Sequence, residues 1–151
     1  MPLPATAEAN FTCTYDAVRQ QLCGCWHGPA TDAELYENYA ELMALAEAHG
    51  GCRFWLLDMV ARNWHQSGFG WWFRNEFAPL AHATLGGPLF IAYVLGAAHQ
   101  AIVNSPGTQV TQHNCAAADV YPFFFEHAEC AQEWLTHQQT HDEKLRSRPI
   151  A

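Results

Sequence analysis

The sequence predicts an α/β protein with a mostly parallel, winding β-α sheet of about five strands, an antiparallel N-terminal edge strand and about four helices. Two short apolar runs, residues 52–59 and 89–95, are typical of strands buried on both faces. Segments with helical spacing of apolar residues separate these runs. Because such strands are joined by right-handed crossovers, neighbouring strands are expected to be parallel.

The N-terminal part of the chain predicts a β-hairpin. Two strand-like runs, residues 11–15 and 18–27, are separated by the short connection Asp16-Ala17. Alternate residues of the second run point to opposite faces, with Leu22, Gly24 and Trp26 on one side and Cys23, Cys25 and His27 on the other.

A capping box predicts where the first helix begins. Thr31 suits the N-cap, and Glu34 stands at the third helical position. The helix is expected to run to about residue 49, where Gly50 and Gly51 favour a left-handed stop.

The remaining elements follow the strand at residues 52–59. Mostly aromatic residues recur at helical spacing over 69–77, Pro79 should kink or split the helix, and Gly86 ends the segment. Beyond the strand at residues 89–95, a short helix is expected over 96–103 and a loop over 104–119, with a strand near Val110 as an alternative. The chain then predicts a strand at 120–125 and a last helix from 128 to about 139.

Length and composition predict one domain over residues 11–139, a flexible lead-in over 1–10 and a frayed tail over 140–151. The net charge of -8 argues against nucleic-acid binding, which needs a basic face.

No apolar run reaches the ~18 residues of a membrane span, and the start lacks the pattern of an export signal. The six cysteines are therefore expected to be free thiols in the cytoplasm.

Five short motifs occur in order along the chain: Gly24-x-Trp26-x-Gly28, Trp55-Leu56-Leu57-Asp58, Glu76-Phe77-Ala78-Pro79-Leu80, Leu85-Gly86-Gly87-Pro88 and Ala131-x-x-Trp134-Leu135. Together with the order of elements over about residues 10–139, these motifs resemble the STAS-like group of bacterial proteins, which contains the anti-sigma-factor antagonists. The chain looks closest to the SpoIIAA-like offshoot, which is similar to Sec14-type lipid-binding folds. The resemblance implies a winding β/α sheet and a role in binding or regulation rather than catalysis.

The same resemblance implies a phosphorylation switch at Ser67. Antagonists of the STAS type carry a modified serine in Asp-Ser-Ser-Gly-x-Gly, and residues 65–70 read His-Gln-Ser-Gly-Phe-Gly. Ser67 falls on the modified serine, but the preceding acid and serine are replaced by His65 and Gln66. A serine at a helix start also has a structural explanation, since it can cap free backbone amides.

Polar residues follow the strands at the predicted carboxyl edge of the sheet, where α/β proteins bind ligands. They are His27, Asp58, His99, Glu126 and His127, with Trp64, His65 and Ser67 in the longest loop. An imidazole beside a carboxylate can perform acid–base catalysis, so a small enzyme using His27, Asp58 and His127 is the alternative function. No nucleophile elbow, phosphate-binding loop or zinc-protease motif accompanies these residues.

The sequence predicts no cofactor, with one alternative. Cys23, Cys25 and His27 share a face of one strand and could present soft ligands to zinc or copper. Small buried cysteines are also common in protein cores.

Adjacent tryptophans at Trp71 and Trp72 predict a binding surface, because one helix stripe cannot bury both. We therefore predict a homodimer, a protein partner or a small apolar ligand, bound near residues 58–70. The predicted binding residues are Asp58, Trp64, His65, Ser67, Gly68, Trp71, Trp72 and His99.

Overall fold

The computed structural model describes residues 10–63, 67–103, 112 and 115–146, and it confirms the α/β class. One five-stranded sheet has the order β1-β2-β3-β4-β5, in which β1 and β2 are antiparallel and the other neighbours are parallel. The strands are β1 (Phe11–Asp16), β2 (Gln21–Trp26), β3 (Phe54–Asp58), β4 (Leu89–Val94) and β5 (Val120–Phe125). The helices are α1 (Asp32–Ala48), α2 (Ser67–Trp72), α3 (Ala78–Leu85), α4 (Gln100–Val103) and α5 (Ala128–Arg146).

Helices cover both faces of the sheet. On one face, α1 packs on β1 and β2, and α3 packs on β4 and β5; on the other, α5 packs on β3, β4 and β5. The larger core lies on the α1 face and is centred on Tyr39, whose ring contacts those of Trp26, Phe69, Phe73 and Phe77. The α5 face has a smaller core around Ala131 and Leu135.

The capping box that the sequence predicts for α1 is present. The backbone N–H of Glu34 donates to Thr31 Oγ1, and the N–H of Thr31 donates to Glu34 Oε1. At the other end, the N–H of Gly51 donates to Ala46 O at 2.8 Å, and Gly50 and Gly51 both have positive φ. Local signals alone therefore predict this helix at both ends.

The predicted hairpin connection was too short. Asp16 Oδ1 accepts hydrogen bonds from the N–H groups of Val18 and Arg19, and Gln20 has a φ of 57°. These contacts fold residues 17–20 into a turn, so β2 begins at Gln21 rather than at residue 18. An aspartate that bonds the backbone two residues on is a common turn former.

The helix is not split into two separate helices at Pro79, because residues 67–85 are helical throughout. The π-helical turn Phe73–Phe77 joins α2 to α3, and the N–H of Ala78 bonds to Phe73 O. Pro79 lies in the first turn of α3, where its missing N–H is tolerated. The helix ends at Gly86, whose φ is 72°.

The prediction that the last helix ends near residue 139 and that the tail frays from residue 140 was wrong, because α5 continues to Arg146. Gln139 Nε2 donates to the carbonyls of Arg19 and Gln20, and its Oε1 accepts from Gln21. Asp142 pairs with the buried Arg53. These contacts with the sheet hold the last turns of α5, and the partners lie too far apart in the chain to be matched from sequence. A strand near Val110 lies outside the described residues.

Candidate functional site

The parallel strands bring their carboxyl ends to one edge of the sheet, as the sequence predicts. Asp58 ends β3, His27 follows β2, and Glu126 and His127 follow β5. His99 lies in the short helical turn after β4. Trp64 and His65 lie outside the described residues, and Ser67 is described only as the first residue of α2.

Two residues of the alternative enzyme, His27 and Asp58, hydrogen-bond to different partners. His27 Nε2 lies 2.9 Å from Thr12 Oγ1, and Asp58 Oδ1 accepts the N–H of Val60 at 3.0 Å. Within the described ranges, no hydrogen bond or ion pair joins His27, Asp58 or His127 to another member of the set. Nothing in this arrangement prepares a proton transfer among them.

Cys25 is the nearest thiol to His27. Its Sγ lies 3.8 Å from His27 Nδ1, and Asp58 is its register partner on β3. Burial raises the pKa of the Cys25 thiol, and the negative charge of Asp58 raises it further. Burial likewise raises the pKa of Cys23. Both residues are therefore neutral thiols near pH 7, and all six cysteines of the chain are free.

The complete ligand set of the alternative metal site is not assembled. In the part of the chain that the structure describes, no three His, Cys, Asp or Glu side chains stand in place to hold a metal ion. Cys23 lies on the same face as Cys25, but it is paired with Leu56, two register positions farther from the strand end. Of the three predicted ligands, Cys25 and His27 are thus the two that are in contact.

His99 joins two loops at this edge and is itself buried. The N–H of Gly96 donates to His99 Nδ1 at 3.1 Å, so Nδ1 is an acceptor and the proton is on Nε2. His99 Nε2 therefore donates to Arg62 O at 2.7 Å. This imidazole ties the loop after β3 to the loop after β4.

Behind these loops lies a buried polar cluster that the sequence analysis did not identify. The Arg62 guanidinium lies 4.5 Å from the Trp26 ring centroid and 5.5 Å from that of Phe69. The Arg62 charge also acts on Tyr39, whose hydroxyl makes a short hydrogen bond with the hydroxyl of Tyr93. No sequence signal separates Arg62 from surface arginines, because its burial depends on how distant aromatic residues pack.

Burial raises the pKa of both tyrosines in this cluster. The effect is largest at Tyr93, and at Tyr39 it outweighs the opposing effect of the Arg62 charge. Burial also raises the pKa of the neighbouring Cys115 thiol from 9.0 to about 12. The cluster is therefore a set of neutral hydroxyls and a thiol around one fixed cation.

We expect the protein to lose stability as the pH rises above about 9, because the unfolded chain releases these protons before the folded protein does. Replacing Cys115 with alanine should reduce this loss between pH 9 and 11. Part of the loss of stability should remain in this variant, because burial also raises the thiol pKa values of Cys13, Cys23, Cys25 and Cys52. Urea unfolding at stepped pH checks this, with the exposed Cys130→Ala as the matched control. Equal pH slopes for the two variants would contradict it.

The two adjacent tryptophans have different environments. Trp72 is partly buried, with ring centroids 4.6 Å from Tyr36 and 5.6 Å from Phe77. Trp71 is 53% exposed, and Leu80 on the same helical segment is 58% exposed. Asn75 lies between them and donates from Nδ2 to Trp71 O. We call Trp71, Asn75 and Leu80 the outer α2–α3 surface.

A carboxylate lies beside the start of α2. A Cβ atom placed on Gly68 would lie 3.2 Å from Asp32 Oδ2, so the Asp32 side chain is close to the backbone there. The side chain of Ser67 lies outside the part of the chain that the structure describes, so the switch at Ser67 stays a prediction.

No family model, curated protein or solved structure matches this chain. In the described part of the chain, no helix is long and apolar enough to cross a membrane.

Proposed function

We propose that this protein is a non-catalytic, STAS-like binding or regulatory domain of the cytoplasm that acts by contact with another protein through its outer α2–α3 surface. The exposure of Trp71 beside a packed Trp72 is the observation that carries this proposal. The motif resemblance and the free cysteines support it.

Trp71 has the properties of a binding anchor. Tryptophan is enriched among the residues that contribute most to protein–protein affinity, because it buries a large area with few rotatable bonds. Here its backbone is held by the packed neighbours Trp72 and Phe73, so little order is lost on binding. Leu80 adds a second exposed apolar side chain to the surface.

A second copy of the chain is the partner that we propose first. Only 15% of the residues are charged, which leaves much of the surface uncharged and able to be buried against a second copy, while the net charge of -8 repels the copies at long range. The alternative to a protein partner is a small apolar ligand, bound at the carboxyl edge of the sheet. An acid–base enzyme has less support, since His27, Asp58 and His127 are not linked.

Replacing Trp71 with alanine is expected to weaken self-association by roughly 30-fold, corresponding to about 2 kcal/mol for an interface anchor. Sedimentation equilibrium over a range of protein concentrations measures this change. Val18→Ala is the matched control, because Val18 is 95% exposed but lies at the hairpin turn, away from the α2–α3 segment. A wild-type protein that stays monomeric at every concentration would exclude the homodimer, and a Trp71→Ala variant that associates normally would exclude the outer α2–α3 surface as its interface.

A further inference from the structure

In the described sheet, β1 is an edge strand with β2 as its single neighbour. The N–H of His27 donates to Asn10 O, which begins a regular antiparallel ladder between the two strands. Hydrogen-bonded pairs alternate along such a ladder, so every second residue of β1 directs its N–H and C=O away from β2. These residues are Phe11, Cys13 and Tyr15, and in the described part of the chain no hydrogen bond reaches those backbone groups.

The opposite edge of the sheet is protected, and β1 is not. On β5, the backbone of Pro122 faces outward, because the carbonyls of Asp119 and Phe125 bond to the two ends of β4. Pro122 has no N–H to offer a further strand, and its carbonyl already accepts from Gln112 Nε2 at 2.9 Å. Strand β1 contains no proline, lysine or bulge, which are the usual means of blocking an edge.

The side chains of β1 suit pairing with an extended segment. Thr12 and Thr14 are exposed on the face that α5 leaves uncovered, and β-branched residues pair well with them across neighbouring strands. On the α1 face, the middle position of β1 is the small, half-buried Cys13. A long aliphatic side chain of an added strand can lie along it with its charged end in water.

Carboxylates line the α1 side of this edge. Burial raises the pKa of the Cys13 thiol, and the charge of Glu41 raises it further, so Glu41 is close to the middle of β1. Glu34 lies seven residues earlier on the same side of α1, and both glutamates are exposed. The exposed Arg19 of the hairpin turn lies instead near Cys23, on the opposite face of the sheet.

We propose that the free edge of β1 binds an extended, basic segment of a partner protein, which adds to the sheet as a further strand. A lysine or arginine placed opposite Cys13 reaches Glu41, and the net charge of -8 attracts such a segment at long range. A second copy fits less well, because antiparallel pairing of β1 with itself places both α1 helices on one face and brings like carboxylates together. The proposal does not depend on the outer α2–α3 surface.

The probe is a capped synthetic peptide in which lysine alternates with threonine and valine, and amide exchange with water is followed by NMR. At a peptide concentration about ten times its Kd, exchange at the amides of Cys13 and Tyr15 should slow by about tenfold, because it requires the free edge. The amides of Thr12 and Thr14 already bond to β2 and should change little.

Two modified peptides separate backbone pairing from charge. A peptide with the same side chains but with N-methyl groups on the residues that face β1 keeps its charge and loses its donors. It should bind at least tenfold more weakly. A peptide with glutamate in place of lysine should not bind, because it brings like charge to Glu41.

Variants of the protein test the same two contributions. Glu41→Gln should weaken binding of the lysine peptide by about threefold, as expected for an exposed ion pair. Glu47→Gln is the matched control, because this exposed glutamate lies on the side of α1 that carries Tyr36, whose ring contacts Trp72. Cys13→Pro removes an outward N–H without breaking the ladder to β2 and should abolish binding.

The proposal is wrong if the lysine peptide does not bind, or if its N-methylated form binds equally well, since charge alone then explains the contact. A Cys13→Pro variant that is folded by circular dichroism and binds normally would also overturn it. The N-methylated peptide tests the backbone contact on the unaltered protein, so the proposal stays testable if this variant does not fold. Protection of the Cys13 and Tyr15 amides that rises with protein concentration alone would show that a second copy occupies the edge instead.

Discussion

Replacing Asp142 with alanine is expected to lower the free energy of unfolding by about 3 kcal/mol, because it leaves a buried arginine without its carboxylate. Arg53 is 7% exposed and makes two hydrogen bonds to Asp142, at 3.1 and 2.6 Å. Its Nη1 also donates to Pro88 O, so the guanidinium cannot easily turn to solvent. The pair joins α5 to the start of β3, across 89 positions of the chain.

Urea unfolding followed by circular dichroism measures this change. Glu133→Ala is the matched control, since it removes a carboxylate from an exposed position of the same helix. A double variant with Arg53→Met and Asp142→Leu should recover most of the loss, because neither charge then remains buried. If Asp142→Ala lowers the free energy of unfolding by less than about 1 kcal/mol, the pair contributes no more than an ordinary surface salt bridge.

Replacing Arg62 with alanine is expected to lower the free energy of unfolding by about 2 kcal/mol, because it removes two desolvated cation–π contacts. The guanidinium is 3% exposed and lies over Trp26 and Phe69. The substitution also leaves a cavity behind the loops of the carboxyl edge. Since His99 bonds to the backbone of residue 62, the loop after β4 should loosen as well.

Two measurements test the role of Arg62. Urea unfolding of Arg62→Lys should show an intermediate loss, because lysine keeps the charge but cannot lie flat on the rings. Hydrogen exchange should become faster at the amide of Gly96, which donates to His99. An Arg62→Met variant as stable as the wild type would mean that the guanidinium contributes only its packing.

Much of the candidate site was predictable in position but not in contacts. The apolar runs that became β3 and β4 place Asp58 and His99 at one edge, and this followed from the rule that crossovers keep strands parallel. The exposure of one tryptophan followed from helix geometry, because Trp71 and Trp72 are adjacent. The burial of His99 and Arg62 did not follow, since both are polar and occur in loops.

The sequence by itself determined the elements whose signals are local. The capping box of α1, the apolar runs of β3 and β4 and the helix end at Gly86 each lie within a few consecutive residues, and local hydrogen bonds, backbone conformation and periodicity decide them. Only the tertiary structure decided that Asp142 meets Arg53, which extends α5 to Arg146, and that Cys25 lies beside Asp58. These contacts depend on strand register and helix placement, which arise when distant segments bury their apolar faces together.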